Sequence, residues 1–495
     1  SDLSAARLRD ESRMTGSCET FSVPTAVEEL QSIARSMLEQ AIPITMQGAM
    51  TGICGCAVPS GGHVISTERL NKIIGHRKDG ERYFVTLECG VTLSELLTYC
   101  TQHFTKLCGY TFMPNPSEKL ASFGGMFSCN AKGINSQLHG DVVGAVSSLT
   151  ALFPNGAVAQ IKRGEYVFDE HGCNVPELGR LEIDNLPEIG CNAKGLAFAH
   201  SGSDLIDVLG GSEGMLAVVT QFELELKKPA QELWGTLFFF ENKQAAFGFS
   251  DKSISLFDNQ STNSVSLAAV EYLDSASMTL VNEYKKQLTQ LSSLPDFPSS
   301  ANSAIYIELE GSSADETEAQ LAALLELFSS CGGDETDTWA ASGSEEISKF
   351  RALRHAVPEA LNYEIDKARQ TDSRIAKLAT DLETPSLPIN EAEKLYSALL
   401  SENGLTGAVF GHLHANRLHM NITPKNYAEY EKGKKLISDM LLSLVAEDSC
   451  VTWENGIGKT KKGFLCLLTE ERLSTAKAIK QFFDKKSLLN PNNML

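Results

Sequence analysis

Apolar residues recur at helical spacing early in the chain: Leu30, Ile33, Ala34, Met37, Leu38 and Ala41 share one face, as in an amphipathic helix packed on a core. Pro24 and Thr25 open it, and Thr25 with Glu28 has the spacing of a capping box. Strands are predicted over 43–47, over HVIST (63–67) and over FVTLECG (84–90), and Thr92 with Glu95 caps a second helix. SLTALF, the turn PNG and AVAQIK (148–162) predict a hairpin. Residues 163–200 are irregular and read as an insertion, and the segment 204–226 closes on a strand. KKPAQ (227–231) marks a boundary. Beyond it, 232–440 mixes amphipathic helices with strands such as AIYIELEG (304–311), an α+β pattern.

Composition narrows the picture. A chain of 495 residues has room for two or three domains at roughly 100–200 residues each. Apolar residues at 42% and charged residues at 21% are ordinary globular values. The net charge of −20 argues against nucleic acid and anionic membranes as partners. Twelve cysteines show no C-x-x-C spacing, so iron–sulfur and structural zinc sites are not predicted; free thiols and a cytoplasmic location are. No apolar run reaches the length of a membrane span. The polar start, SDLSAARLRDESRMTG, does not read as a signal peptide and is expected to lie as an extended arm.

Chemistry begins in PITMQGAMTGICGCAVPSGG (43–62), whose glycines let backbone N–H groups turn toward an anion. The loop lacks the GK[ST] of a Walker motif, and it runs into a strand, whereas a Rossmann loop runs into a helix. A second segment, 114–146, strings together small residues, with Gly124 and Gly125 allowing close approach and Ser122, Ser128 and Asn130 offering hydrogen bonds without bulk. Such a run suits a channel for a long, flat ligand. A third segment, GGSEGMLAVVT (210–220), sets Glu213 among small residues just ahead of a strand.

Together these segments resemble the FAD-binding domain of the vanillyl-alcohol-oxidase/PCMH flavoprotein superfamily, over nearly the whole chain. The branch they resemble holds D-lactate dehydrogenase, D-2-hydroxyglutarate dehydrogenase and a subunit of glycolate oxidase. The resemblance implies an α+β protein. A two-part FAD-binding domain would span 1–226, an α+β cap over the substrate 227–445, and a C-terminal segment, 446–495, would return to the FAD domain. It implies that Gln47, Gly48, Ala49, Met50, Thr51 and Gly52 hold the pyrophosphate of a non-covalent FAD. Pro114, Ser117, Ser122, Gly124, Gly125, Ser128, Asn130, Gly133 and Gly140 would line the cofactor from the second segment. Glu213, Gly214 and Val219 would do so from the third, and Asn490 from the closing DKKSLLNPNNML.

The second half carries the candidate substrate residues. FRALRHAVPEALN (350–362) and KLATDLETP (377–385) are similar to family segments that place Arg354 and Lys377 on a substrate carboxylate; Arg grips with two parallel bonds and Lys adds a point charge. In FGHLHANRLHMNITP (410–424), alternation predicts two short strands with a turn at His414–Arg417. That hairpin sets His412 against His419, close enough to share a metal, and three histidines within eight residues favour metal chemistry. The family form, GHxGDGNxHxN, implies that His412 and His419 bind a divalent metal (Zn, Fe or Mn) and that Asn421 faces substrate. WENGIGKTKKGFL (453–465) resembles the family's AEHGIGxxK and places Glu454 as third ligand. Two imidazoles and a carboxylate make an open site.

One departure stands out. The family's His after that Glu, the expected base, is Asn455 here, and an amide is no base at neutral pH. Three explanations stay open: His414 supplies the base, the metal acidifies the hydroxyl by itself, or the reaction has changed. The reading is an FAD-dependent dehydrogenase that oxidises a 2-hydroxy acid of D configuration, lactate- or 2-hydroxyglutarate-like. Electrons would pass to an electron-transfer flavoprotein or another redox subunit, and a homodimer is compatible with it. The alternatives are a flavoenzyme for a different alcohol or for a reduction, and a non-catalytic flavin-binding relay.

Overall fold

The computed structural model describes residues 7–105, 109–183, 186, 194–258, 264–287, 295–380, 382–383, 387–445, 452–453, 455–463 and 468–495. The chain divides into two compact units: Ser1–Pro229 with Thr452–Leu495, and Ala230–Val451.

In the first unit, β1 (Thr20–Ser22), β2 (Ile44–Gln47) and β3 (His63–Ser66) form a small parallel sheet in the order β1-β3-β2. Helix α1 (Val27–Glu39) buries Val27, Leu30, Ala34 and Leu38. It starts later than the sequence predicts. Ala26 is the N-cap and has no side-chain bond to give, while Thr25 pairs through its N–H (2.8 Å) and hydroxyl (3.1 Å) with Glu29, the neighbour of the expected Glu28.

A second, antiparallel sheet runs β4-β5-β10-β6-β7 through β4 (Ile73–Asp79), β5 (Arg82–Glu88), β6 (Val146–Leu152), β7 (Val158–Lys162) and β10 (Val218–Leu226). Between β7 and β10, in the irregular stretch, β8 (Gly172–Val175) pairs with β9 (Gly179–Glu182). Helix α2 (Leu93–Phe104) begins with the predicted capping box of Thr92 and Glu95. The short helix α3 (Phe123–Ser128) buries Phe123, Met126 and Phe127. Phe123 and Phe127 lie 4.9 and 5.0 Å from Phe222 of β10, ring centre to ring centre. The C-terminal segment joins the small sheet, because Leu489 pairs parallel with Ile44 of β2.

The second unit is built on an antiparallel sheet. Its order includes β14-β11-β13-β12-β17-β18-β16, with β15 also on β18. These are β11 (Glu232–Phe240), β12 (Val265–Asp274), β13 (Ser303–Gly311), β14 (Thr338–Ser342), β15 (Leu378–Ala379), β16 (Leu382–Glu383), β17 (Gly407–His412) and β18 (Arg417–Ile422). The period of two along β13 separates two faces. Ile305, Ile307 and Leu309 lie on the side of Phe238 and Phe240, which meet Phe249 of α4 (Lys243–Asp258) and Phe328 of α5 (Ala314–Ser330). Tyr306, Glu308 and Glu310 lie on the opposite side and are buried too. Helix α6 (Ser344–Arg369) covers that side: a Cβ on Gly235 of β11 would lie 2.9 Å from Tyr306 Oη and 3.3 Å from Ile347 of α6. Among the described residues, no helix is long and apolar enough to cross a membrane.

Candidate functional site

The glycine loop is the crossover between β2 and β3. Parallel neighbours need a connection of a dozen or more residues, and here it is residues 48–62 without a helix. Gly48 is where it meets the second segment, since a Cβ there would sit 2.0 Å from Ser122 Oγ. That Oγ accepts the N–H groups of Ala49 (3.3 Å) and Gly125 (3.4 Å), so one hydroxyl joins the loop to the start of α3. Met50 holds a left-handed φ of 59°, a conformation that turns backbone N–H groups into a concavity. Gly52, Gly140 and Gly214 have no atom within 4 Å of where a Cβ would stand. These open backbone faces, one in each segment, are what a cofactor lying against main chain requires.

The remaining expected cofactor residues divide between open and committed. Gly124 of α3 lies against Cys89, and Gly133 lies against the Pro114 carbonyl. Thr51 is half-buried, Ser117 is exposed, and Val219 pairs with Ala151 in the sheet. Ser128 offers its carbonyl to Glu213 N–H (2.8 Å). Asn130 donates to Asp141 (3.0 Å) and accepts from Val143 N–H (3.4 Å). Burial pushes the Asp141 carboxyl up, but Lys194 at 2.9 Å and the Asn130 amide outweigh it and hold it below the ordinary range.

Glu213 and Asn490 serve the protein itself. The Glu213 carboxylate is 2% exposed and accepts Ile457 N–H (2.6 Å), Gly458 N–H (3.0 Å) and the Asn493 amide (2.5 Å). Asn490 donates to the carbonyls of Cys56 (2.9 Å) and Glu213 (2.7 Å). The motif after Asn455 packs directly on the first loop, because a Cβ on Gly458 would lie 2.0 Å from the Cys54 carbonyl oxygen. A small pocket opens here, lined among others by Asn130, Lys132, Lys194, Glu213 and Gly456.

Sequence reasoning missed the first residues of this unit. The expected extended arm folds onto the glycine loop instead: Glu11 N–H bonds Met50 O (3.2 Å) and Ser17 N–H bonds Pro59 O (3.1 Å). Gln47, expected on the cofactor, gives its amide N–H groups to the carbonyls of Arg7 and Ala57, both at 2.8 Å. No motif marks such an arm, because its bonds to the glycine loop are to main chain.

In the second unit the histidine hairpin forms, with Leu413–Asn416 as its turn and Arg417 already in β18. Asn416 takes a left-handed φ of 49° in place of the family's glycine. Register sets His412 opposite Arg417, and His419 opposite Phe410; the two imidazole centres are 5.9 Å apart. His412 Nδ1 bonds the Glu271 carboxylate, and His419 Nδ1 bonds the Thr380 carbonyl at 3.2 Å. Both bonds place the neutral ring's lone pair on Nε2, the arrangement of metal-binding histidines. The donor chemistry therefore fits a divalent cation. Among the described residues no group of three or more His, Cys, Asp or Glu converges as a metal site. The expected third ligand, Glu454, lies outside the described residues.

Arg354 comes from α6 and donates through Nε to Glu271 (2.7 Å), with Nη2 3.5 Å from His412 Nε2. Glu271 was not expected from the sequence. Burial alone would raise its pKa, but His412 and Arg354 beside it hold it below the ordinary value. Asn421 is buried on the same strand face as His419, and Lys377 bonds Asn362 at 3.1 Å. His414 turns to Asp258 at the end of α4, 3.9 Å away. Burial lowers its pKa, with Asp258 acting in the opposite sense. Asn455 is half-buried in the first unit.

The chain matches the family model for the C-terminal domain of FAD linked oxidases over residues 251–494, and that for an FAD binding domain over 19–162. A D-lactate dehydrogenase of Archaeoglobus fulgidus is 25% identical over 96% of this chain and 92% of its own length. The mitochondrial D-2-hydroxyglutarate dehydrogenase of Arabidopsis thaliana is 26% identical over 97% of this chain and 75% of its own. The glycolate oxidase subunit GlcD of Bacillus subtilis is 24% identical over 95% and 87%. Among solved structures, p-cresol methylhydroxylase with substrate bound shares the fold, with a TM-score of 0.69 at 14% identity over 100% of this chain and 92% of that one.

Proposed function

Because the chain belongs to the FAD-linked oxidases and is an FAD-dependent oxidoreductase, we propose that it oxidises a 2-hydroxy acid of D configuration, lactate- or 2-hydroxyglutarate-like, to the 2-oxo acid. The observation that carries this reading is the hairpin face of the second unit. There, two histidines with Nδ1 engaged stand beside an arginine from α6.

In this reading Arg354 and Lys377 supply positive charge to the substrate carboxylate, and Asn421 a hydrogen bond beside it. His412 and His419, with Glu454 from the sequence motif, would hold a divalent cation that polarises the hydroxyl. Non-covalent FAD, against the open backbone of Gly52, Gly140 and Gly214, supplies the acceptor for the hydride leaving Cα. The chain must also receive the hydroxyl proton, and Asn455 does not. His414 is one acceptor, and to serve it would have to leave Asp258, 3.9 Å away at the end of α4. Water is the other, if the cation acidifies the hydroxyl enough. The pH–rate profile of H414Q separates the two, since only in the first does the variant lose the fall in rate at low pH that protonation of the base causes. An electron-transfer flavoprotein or another redox subunit would then take the electrons.

The test is anaerobic mixing of the FAD-loaded protein with D- and L-lactate, D- and L-2-hydroxyglutarate and glycolate. A D acid is expected to bleach the oxidised flavin absorbance while its L isomer does not. Bleaching by none of them would sink the proposal. Asn455 favours a second reading, a different alcohol or a reduction, which predicts no bleaching by these acids alongside a retained divalent metal.

A further inference from the structure

The residue that organises the hairpin site is Glu271, on the neighbouring strand and named by no motif. We propose that Glu271 is a positioning residue that fixes both His412 and Arg354 through one carboxylate, one oxygen to each. This rests on the functional reading above, in which His412 holds a cation and Arg354 a carboxylate.

Three observations carry it. Glu271 sits in β12 directly across from His412 of β17, so the pairing register itself sets the imidazole against the carboxylate. Its Oε1 bonds His412 Nδ1 and its Oε2 takes Arg354 Nε at 2.7 Å, with the residue 1% exposed. A histidine that donates Nδ1–H to a fixed carboxylate has its tautomer and ring plane set, with the lone pair on Nε2, and here that lone pair faces Arg354 Nη2 at 3.5 Å.

The third observation is an internal comparison. Arg351, one turn before Arg354 on α6, meets the buried Glu308 on β13. Glu308 takes two of its nitrogens, Nε at 2.7 Å and Nη2 at 2.5 Å, and also accepts the Tyr306 hydroxyl at 2.7 Å. That is a fork-to-fork pair. Glu271 takes only the Nε of Arg354, and the terminal Nη2 reaches toward His412 Nε2 at 3.5 Å. The same pairing of strand carboxylate and helix arginine is thus made twice, once with both carboxylate oxygens on the arginine and once with one oxygen given to a histidine.

The experiment compares E271Q, E271D and E308Q with the parent as FAD-loaded full chains. Three quantities are read: flavin content, affinity for Zn²⁺ and Mn²⁺ by titration after chelation, and KM and kcat for whichever hydroxy acid bleaches the flavin. E271Q is expected to keep its flavin, to lose about 10–100-fold in metal affinity, and to show a raised KM. E271D, which keeps the charge but not the reach, should recover part of the affinity, and this arm stands if E271Q fails to fold. E308Q loses an equally buried arginine partner and should bind metal within about twofold of the parent, because losses of this kind act through a ligand's own hydrogen-bond partner. Equal metal affinity and KM in the parent, E271Q and E271D would overturn the inference, as would an E308Q loss matching that of E271Q. A parent that binds neither metal overturns the functional reading beneath it, which is a different result from a parent that binds and an E271Q that binds as well.

Discussion

A carboxylate that water cannot reach must find its donors in the protein, and Glu213 finds them in the segment that closes the first unit. Ile457, Gly458 and Asn493 all point N–H groups at it. Glu213→Ala strands these buried donors, each at about 1–3 kcal/mol, so a loss of at least roughly 3 kcal/mol of stability is expected, read as a lowered Tm with earlier release of FAD. The charge has its own signature. Burial raises the folded pKa above 4.5, more than the amides and Lys461 lower it. The folded protein therefore keeps this proton where the unfolded chain has lost it, and the group's contribution to stability falls as pH rises through that interval. Glu213→Gln removes that fall. Its Tm relative to the parent should move in the variant's favour as pH is raised from about 4.5 toward neutrality; a difference that stays flat would refute the raised pKa.

The hairpin holding the candidate ligands turns on a residue that a glycine-based motif does not predict. Asn416 adopts φ 49°, donates to the Leu387 carbonyl at 3.1 Å, and is among the few side chains that tolerate the left-handed region. Asn416→Ala should cost about 1–2 kcal/mol and loosen the approach of His412 to His419, so its Tm and metal affinity should both fall. Asn416→Gly should retain both; a glycine variant as damaged as the alanine one would mean that the side-chain bond, and not the backbone conformation, sets the turn. Elements of this kind show what the sequence made legible. The capping box at Thr92 and Glu95, the hairpin of β6 and β7 and the alternating face of β13 follow from local chemistry and periodicity. The start of α1 was misplaced because two adjacent glutamates compete for Thr25. Strand β4 went unread because most of it is exposed and polar, leaving no apolar alternation to see. Glu271 and Glu308 went unread because an acid at an inward position of a strand is meaningful only once the arginines of α6 are known to face it. Acids at buried strand positions in VEYLD and IYIELEG, followed by two arginines three residues apart, were the available signal.

At the scale of the whole molecule the excess of acidic residues is the dominant physical fact. With 63 carboxylates against 43 lysines and arginines, the net charge is −20. An anionic substrate meets long-range repulsion from such a chain, so in the proposed reading the positive charge of Arg354 and Lys377 would act at short range, where screening is weak. Repulsion and screening together make electron transfer out of the flavin sensitive to the acceptor's charge. Reoxidation by an anionic acceptor such as ferricyanide should be slow at low salt and quicken as ionic strength rises. Reoxidation by a cationic dye should slow over the same range. The screening length contracts from about 30 Å at 0.01 M to about 8 Å at 0.15 M, and steering effects of this kind span about tenfold or more. Stopped-flow reoxidation of the reduced protein across that series, with both acceptors, measures the two slopes. Opposite signs place the acceptor's approach under the protein's overall negative field. Equal slopes, or a ferricyanide rate that falls with salt, would mean that a local positive patch governs the encounter.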